Sequence, residues 1–243
     1  MRLSKNNILG DDMWRMDESL RKKLLPDGGN YSYDPRTDTY NFWGNVVVPK
    51  ELVNDGRFTI KFGRIEGDFD CSELNLVSLV GAPKYVSGAF NCNSNELKTL
   101  EGGPRHASCY YCMDNKLLSL RGGPTETQLF DCAFNNLTSL EGAPQEVEWF
   151  TCSFNHLTTL KGCNTQMYYS TFDCNDNKLT SLDGAPEWVD RFYCARNQLR
   201  SLKGAPKYVK KEFDCRDNPL NSLKWAPKDV WELLCDDGLK DKY

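Results

Sequence analysis

No apolar run in the 243 residues approaches the roughly 20 that a membrane-spanning helix needs. The opening residues Met1 to Asn7 also lack the apolar stretch of a secretory signal, so the expected location is the cytoplasm. A basic excess is missing too: 30 Lys and Arg stand against 34 Asp and Glu, a net charge of −4. No global positive field therefore draws the chain to nucleic acid or an anionic membrane, and neither is expected as a partner. Histidine is scarce, with only His106 and His156, and neither has a base or nucleophile partner that the sequence identifies. There is no Gly-rich phosphate loop, no His-Glu-x-x-His and no Ser/His/Asp arrangement, so neither catalysis nor a cofactor is expected. With 40% hydrophobic and 26% charged residues, the composition excludes a disordered chain and suffices for a core of one domain with a small cap.

Cysteine is abundant, and its placement follows a rule. Of eleven cysteines, nine (Cys71, Cys92, Cys112, Cys132, Cys152, Cys174, Cys194, Cys215 and Cys235) recur every 20 to 22 residues, which signals internal repetition. Two residues before each stands Phe69, Phe90, Tyr110, Phe130, Phe150, Phe172, Phe192, Phe213 or Leu233. A bulky group and a thiol alternating at period two read as a strand with both side chains inward. The ladder then reads as a packed core of small apolar residues. Metal binding is the competing reading, but only Cys109-Tyr110-Tyr111-Cys112 has ligand-like spacing, and the strand register points those two thiols to opposite sides.

Three residues after the cysteine come Asn95, Asn115, Asn135, Asn155, Asn177, Asn197 and Asn218, placed to satisfy backbone groups that a turn leaves open. Paired leucines such as Leu137 and Leu140 follow, then Gly-Ala-Pro, as in 142–144, 184–186 and 204–206. That segment is too short and too Gly/Pro-rich for a helix and should return extended along the convex side. The unit Val147-x-x-Phe150-x-Cys152-x-x-Asn155-x-Leu157 resembles the leucine-rich repeat signature over roughly residues 60 to 235. It is similar to the short-repeat class of bacterial type III effectors, and closer still to leucine-rich repeat proteins of tailed bacteriophages. The resemblance implies a repeat solenoid with a concave parallel β-sheet, extended convex returns and an N-terminal helix and hairpin cap. Each coil would bury its apolar face against its neighbours.

Residues 1–59 read as that cap. An amphipathic helix over 11–25 carries Met13, Met16, Leu20 and Leu24 on one stripe, with acids early and bases late. A hairpin and a further strand over 31–48 follow, and Trp14 with Met16 leave open a partner-binding helix instead. The solenoid spans 60–235, and the charged tail 236–243 should shield its last edge. The return at 162–170 departs from Gly-Ala-Pro, either as a neutral bulge or as a binding loop.

If the strand runs x-Phe-x-Cys-x, the x residues face solvent and carry any specificity. Apolar ones bunch on three coils, and the candidate partner-binding residues are Tyr111, Met113, Leu129, Asp131, Trp149, Thr151, Asp173, Arg191 and Tyr193 on the concave face, with Phe134 and Phe154 at the turn edge. A contiguous apolar patch with a polar rim and central aromatics has the composition of a binding hot spot. Alternatively the two phenylalanines fold over the strand ends and bury Trp149. The expected function is a non-enzymatic protein-binding module, phage-encoded on the resemblance, that inhibits or redirects a host protein. A structural role in a phage particle is the alternative.

Overall fold

The computed structural model describes residues 16–163 and 168–242. The described chain opens on helix α1 (Glu18–Leu24). Asp17 caps it by accepting the Ser19 N–H at 2.8 Å, while Arg21, Lys22 and Lys23 fill its last turn, charges that suit the helix dipole. The helix expected over 11–25 thus begins only at Glu18 within the described residues, because Asp17 takes the capping position; Met13 and Trp14 lie outside them. Met16 and Leu24 are buried on the expected stripe.

Strand β1 (Asn30–Asp34) pairs antiparallel with β2 (Thr39–Trp43), and the Asp34 carboxylate accepts the Arg36 N–H in the turn. Next comes β3 (Val46–Val47), then a small antiparallel pair, β4 (Val53–Asn54) with β5 (Arg57–Phe58). The chain continues through β6 (Phe62–Glu66), β7 (Phe69–Asp70), β8 (Tyr85–Val86), β9 (Ala89–Asn91), β10 (Cys109–Tyr111), β11 (Glu126–Asp131), β12 (Glu146–Thr151), β13 (Tyr168–Asp173), β14 (Trp188–Tyr193), β15 (Tyr208–Asp214) and β16 (Glu232–Leu234). A ten-stranded parallel sheet runs β3-β7-β9-β10-β11-β12-β13-β14-β15-β16, one strand per coil. This is the expected solenoid.

Its first rung lies earlier in the chain than the cysteine ladder. β3 sits inside the segment read as cap, yet Val46 pairs with Phe69, and the Val48 N–H donates to the Asp70 carbonyl at 2.8 Å. Val46 and Val48 are buried and stand where later coils carry Phe and Cys. In the early coils the strand is split by Gly67 and by Ser87-Gly88, so β2, β6 and β8 form a separate ladder at the strand starts; from β11 to β15 the two pieces fuse.

The register places every Phe position beside the next, from Phe69 and Phe90 through to Phe213 and Leu233. The rings from Phe69 to Phe213 stack along the axis with centroids 4.9 to 5.7 Å apart. All nine ladder cysteines are buried, and the thiols of Cys92, Cys112, Cys132, Cys174 and Cys215 donate to a strand carbonyl of the next coil at 3.1 to 3.5 Å. Burial pushes these thiols up, which leaves them protonated and unreactive. Cysteine here is a small apolar filler with a weak donor.

The asparagine column does what its position suggested. Asn155 donates to the carbonyls of Cys132, Cys152 and Ser153 at 3.0 to 3.2 Å and accepts the Leu137 N–H at 2.9 Å. One side chain so ties the strand ends of two coils, and the pattern repeats from Asn95 to Asn218. The returns pack closely: a Cβ on Gly122 (φ +89°) would lie 2.4 Å from Glu101 Cα. Tyr110, the one tyrosine of the Phe column, coincides with Gly103 in place of the usual alanine, where a Cβ would come within 2.6 Å of the Tyr110 hydroxyl.

Candidate functional site

The outward columns are the free positions of this backbone. Leu129, Trp149, Thr171 and Arg191 are successive register partners on β11 to β14, as are Tyr111, Asp131, Thr151, Asp173 and Tyr193 on β10 to β14. The sheet therefore brings the candidate residues of these two columns together, at a strand spacing of about 4.8 Å. Met113 follows the strand on the same side, its N–H held by the Asn93 side chain at 2.8 Å. Trp149 is 51% exposed at the centre, with half-buried Leu129, Tyr111 and Met113 beside it.

The turn edge is unusual. Two residues after every ladder cysteine from Cys71 to Cys215 the backbone is left-handed, and Glu73, Ser94, Asp114, Asp176, Arg196 and Asp217 occupy this position in other coils. On the two middle coils it holds Phe134 (φ 54°) and Phe154 (φ 53°). A bulky residue is rarely placed there, since the conformation costs on the order of 1–3 kcal/mol. Their rings stack at 4.2 Å and 7°, and they stay 48% and 44% exposed. They cover each other and leave Trp149 open, so the alternative in which they bury it is not realised.

The acids of the column between Phe and Cys have partners within their own turns. Asp70, Asp131, Asp173 and Asp214 each accept the backbone N–H two residues on, at 2.9 to 3.1 Å, and Asn91 does the same. These are Asx turns that end the strand, built from the column between Phe and Cys. Burial holds the Asp131 and Asp173 carboxyls above the usual carboxylate range. Of the arginines toward the last coils, Arg196 pairs with Asp176 at 2.6 Å and Arg216 with Asp214 at 2.7 Å, while Arg191 has no ion pair among the described residues. Tyr193 donates to Glu212 at 2.8 Å; burial and that carboxylate push its phenol up to about 12.

Cys109 and Cys112 fall on opposite sides of β10, half-exposed and buried respectively, as the register required. Among the described residues no group of three His, Cys, Asp or Glu is placed to hold a metal ion. His106 stacks on Tyr85 at 4.8 Å, and His156 Nδ1 lies 3.1 Å from the Asn155 carbonyl. Of the irregular return at 162–170, Cys163 bridges back to Lys161 and residues 168–170 belong to β13, while residues 164–167 lie outside the described part.

Sequence reasoning missed a second aromatic pair. Trp188 and Tyr208, at the starts of β14 and β15, are register partners whose rings stack at 5.9 Å and 3°. Extending the repeat alignment four residues upstream of Phe reads His106, Glu126, Glu146, Tyr168 and Trp188 but then Val209, because a register shift after Val189 puts Tyr208 one residue further from its Phe, so counting reaches only half of the pair.

No family model matches the chain, and no curated protein matches it in sequence. Among solved structures, YopM from Yersinia enterocolitica WA-314 superposes with a TM-score of 0.50 at 17% identity over 79% of this chain. The fold is a leucine-rich-repeat solenoid. The chain spans 55% of the YopM chain, and the likeness at this identity concerns the fold.

Proposed function

We propose that the chain is a non-enzymatic protein-binding module whose concave face, centred on Trp149, grips its partner. The observation that carries the reading is the apolar patch of exposed Trp149 with half-buried Tyr111, Met113 and Leu129, extended at its edge by a phenylalanine pair in left-handed backbone. A backbone strain retained for exposed rings fits a binding role, because the packing within the chain gains little from them. Aromatic anchors would supply affinity. Arg191 and Tyr193 set the polar rim toward the later coils, and Thr151 lies between the two.

The partner we assign is a bacterial host protein, inhibited or redirected by occlusion of its surface, on the strength of the resemblance of the repeat to phage-encoded proteins. The test is affinity capture from bacterial lysate with wild type and with Trp149→Glu/Leu129→Glu. A single host protein retained by wild type and lost by a variant of unchanged melting temperature supports the reading. Equal capture by both sinks the concave site, and recovery only of phage structural proteins from infected cells replaces it with an assembly role.

A further inference from the structure

The charges of the later coils are sorted into two adjacent blocks. Residues 122–190 hold ten Asp and Glu against Lys161 and Lys178, a net of −8. Residues 191–228 hold ten Lys and Arg against Glu212, Asp214 and Asp217, a net of +7. The remainder of the chain carries −3, so the near-neutral whole conceals a strong dipole along the solenoid.

Three ion pairs straddle the boundary: Arg196 with Asp176, Lys207 with Glu187, and Lys211 with Asp190. They engage part of the charge near the junction, where Arg191 stays without an ion pair among the described residues, and leave the charges further out. Glu126, Glu146 and Glu148 are exposed with no ion pair among the described residues, and so are Lys210 and Lys228 on the other side. Glu126 and Glu146 are moreover direct register partners, and like charges facing each other across a parallel pair oppose the fold. All five lie toward the strand starts. Between the two groups stands the exposed Trp188–Tyr208 stack.

From this we infer that the strand-start edge is a self-complementary interface that takes a second copy of this chain, turned end over end. A two-fold axis near the junction of β13 and β14 puts Glu126, Glu146 and Glu148 of one copy against Lys210 and Lys228 of the other, and the reverse, with the two Trp188–Tyr208 stacks meeting near the axis. An isologous contact needs one patch complementary to its own rotated image. Two blocks of nearly equal and opposite charge, side by side, meet that condition, whereas a foreign partner would have to carry the same dipole by itself. Opposed charge patterns of this kind set register and association rate.

The experiment is sedimentation of the purified chain, with no lysate, at about 0.1 M and about 1 M salt, where the Debye length falls from about 10 Å to about 3 Å. Wild type is expected at twice its 27.8 kDa mass in the lower salt and to dissociate in the higher. Glu146→Lys/Glu148→Lys and Lys210→Glu/Lys228→Glu, each checked by circular dichroism and melting, are each expected to be monomeric. Mixed in equal amounts they should re-form a dimer, because each block then faces its opposite. A wild type that stays monomeric at high concentration in low salt overturns the inference, as does a dimer that either variant leaves intact. A monomer that binds single-stranded oligothymidylate through Lys210 and Lys228 also overturns it, assigning the basic block to nucleic acid. Because none of these residues belongs to the Trp149 patch, failure here leaves the partner-binding reading standing, and the converse holds.

Discussion

The coils of Cys132 and Cys152 and the coils of Cys194 and Cys215 share one backbone and differ in what they show to solvent. Inside, both pairs stack Phe on Phe, bury the thiol and close the turn with an asparagine. Outside, Leu129 and Trp149 are replaced by Arg191 and Glu212, and the left-handed Phe134 and Phe154 by Arg196 and Asp217. The inward columns are constrained because each must match the coil before and after it, and one misfit would propagate as a lost stack or an orphaned carbonyl. The outward columns touch no neighbouring coil's interior and can change sign from one coil to the next. Stability and the proposed recognition are thereby assigned to different residues a single position apart.

The most forceful way to break that division is to damage the inward set. Phe150→Ala should cost about 3–5 kcal/mol, the range for emptying a fully buried aromatic site, and Asn155→Ala should cost about 3 kcal/mol because it orphans buried carbonyls on two coils. Urea unfolding measures both, and a loss under about 1 kcal/mol for either would show that the coils do not depend on these columns.

On the outward set, Trp149→Ala should weaken partner binding by about 2 kcal/mol, roughly 30-fold, yet shift stability by no more than about 0.5 kcal/mol. Titration calorimetry with the captured partner and a melting curve read the two effects separately. Phe134→Asp installs the residue that other coils carry in the same left-handed turn, so stability should stay within about 1 kcal/mol of wild type as relieved strain offsets the lost ring stack. Partner affinity should nonetheless fall about tenfold. A large loss of stability would instead make the phenylalanine pair part of the core.

The smallest effect sharpens the contrast at a residue with both roles. Burial raises the Asp131 and Asp173 carboxyls, so the folded chain holds protons that the unfolded chain gives up. Their contribution to stability therefore falls as pH rises through the ordinary carboxylate range toward the raised values. Asp131→Asn keeps the turn acceptor, as Asn91 already shows, and removes the buried charge. Its melting temperature should exceed that of wild type at neutral pH, with the gap closing in acid; a lower melting temperature at neutral pH would mean that the charge itself holds the turn.

Much of this was readable before any coordinates. A period of 20 to 22 residues, a Phe and a Cys two apart and an Asn three further on admit few solutions, because a coil so short can close a core only by stacking on copies of itself. Periodicity also assigned the inward and outward sides, so Leu129, Trp149, Tyr111 and Tyr193 fell into their columns by counting. Counting failed where identity departs from pattern: Val46 and Val48 form the first rung without a Phe or a Cys, since burial asks only for apolar bulk there.

The amino-acid order by itself determined the repeat, the strand register and the segregation of charge into two blocks, all of which are properties of position along one chain. The tertiary structure alone decided which polar groups are already spent. Whether Asp131 faces a partner or its own turn, whether Arg196 is available or bound to Asp176 twenty residues away, and whether Phe134 covers Trp149 or stacks on Phe154 depend on side-chain direction between coils. That direction is set by local backbone dihedrals and by the neighbours that stacking supplies, and a linear pattern of residue types does not contain it.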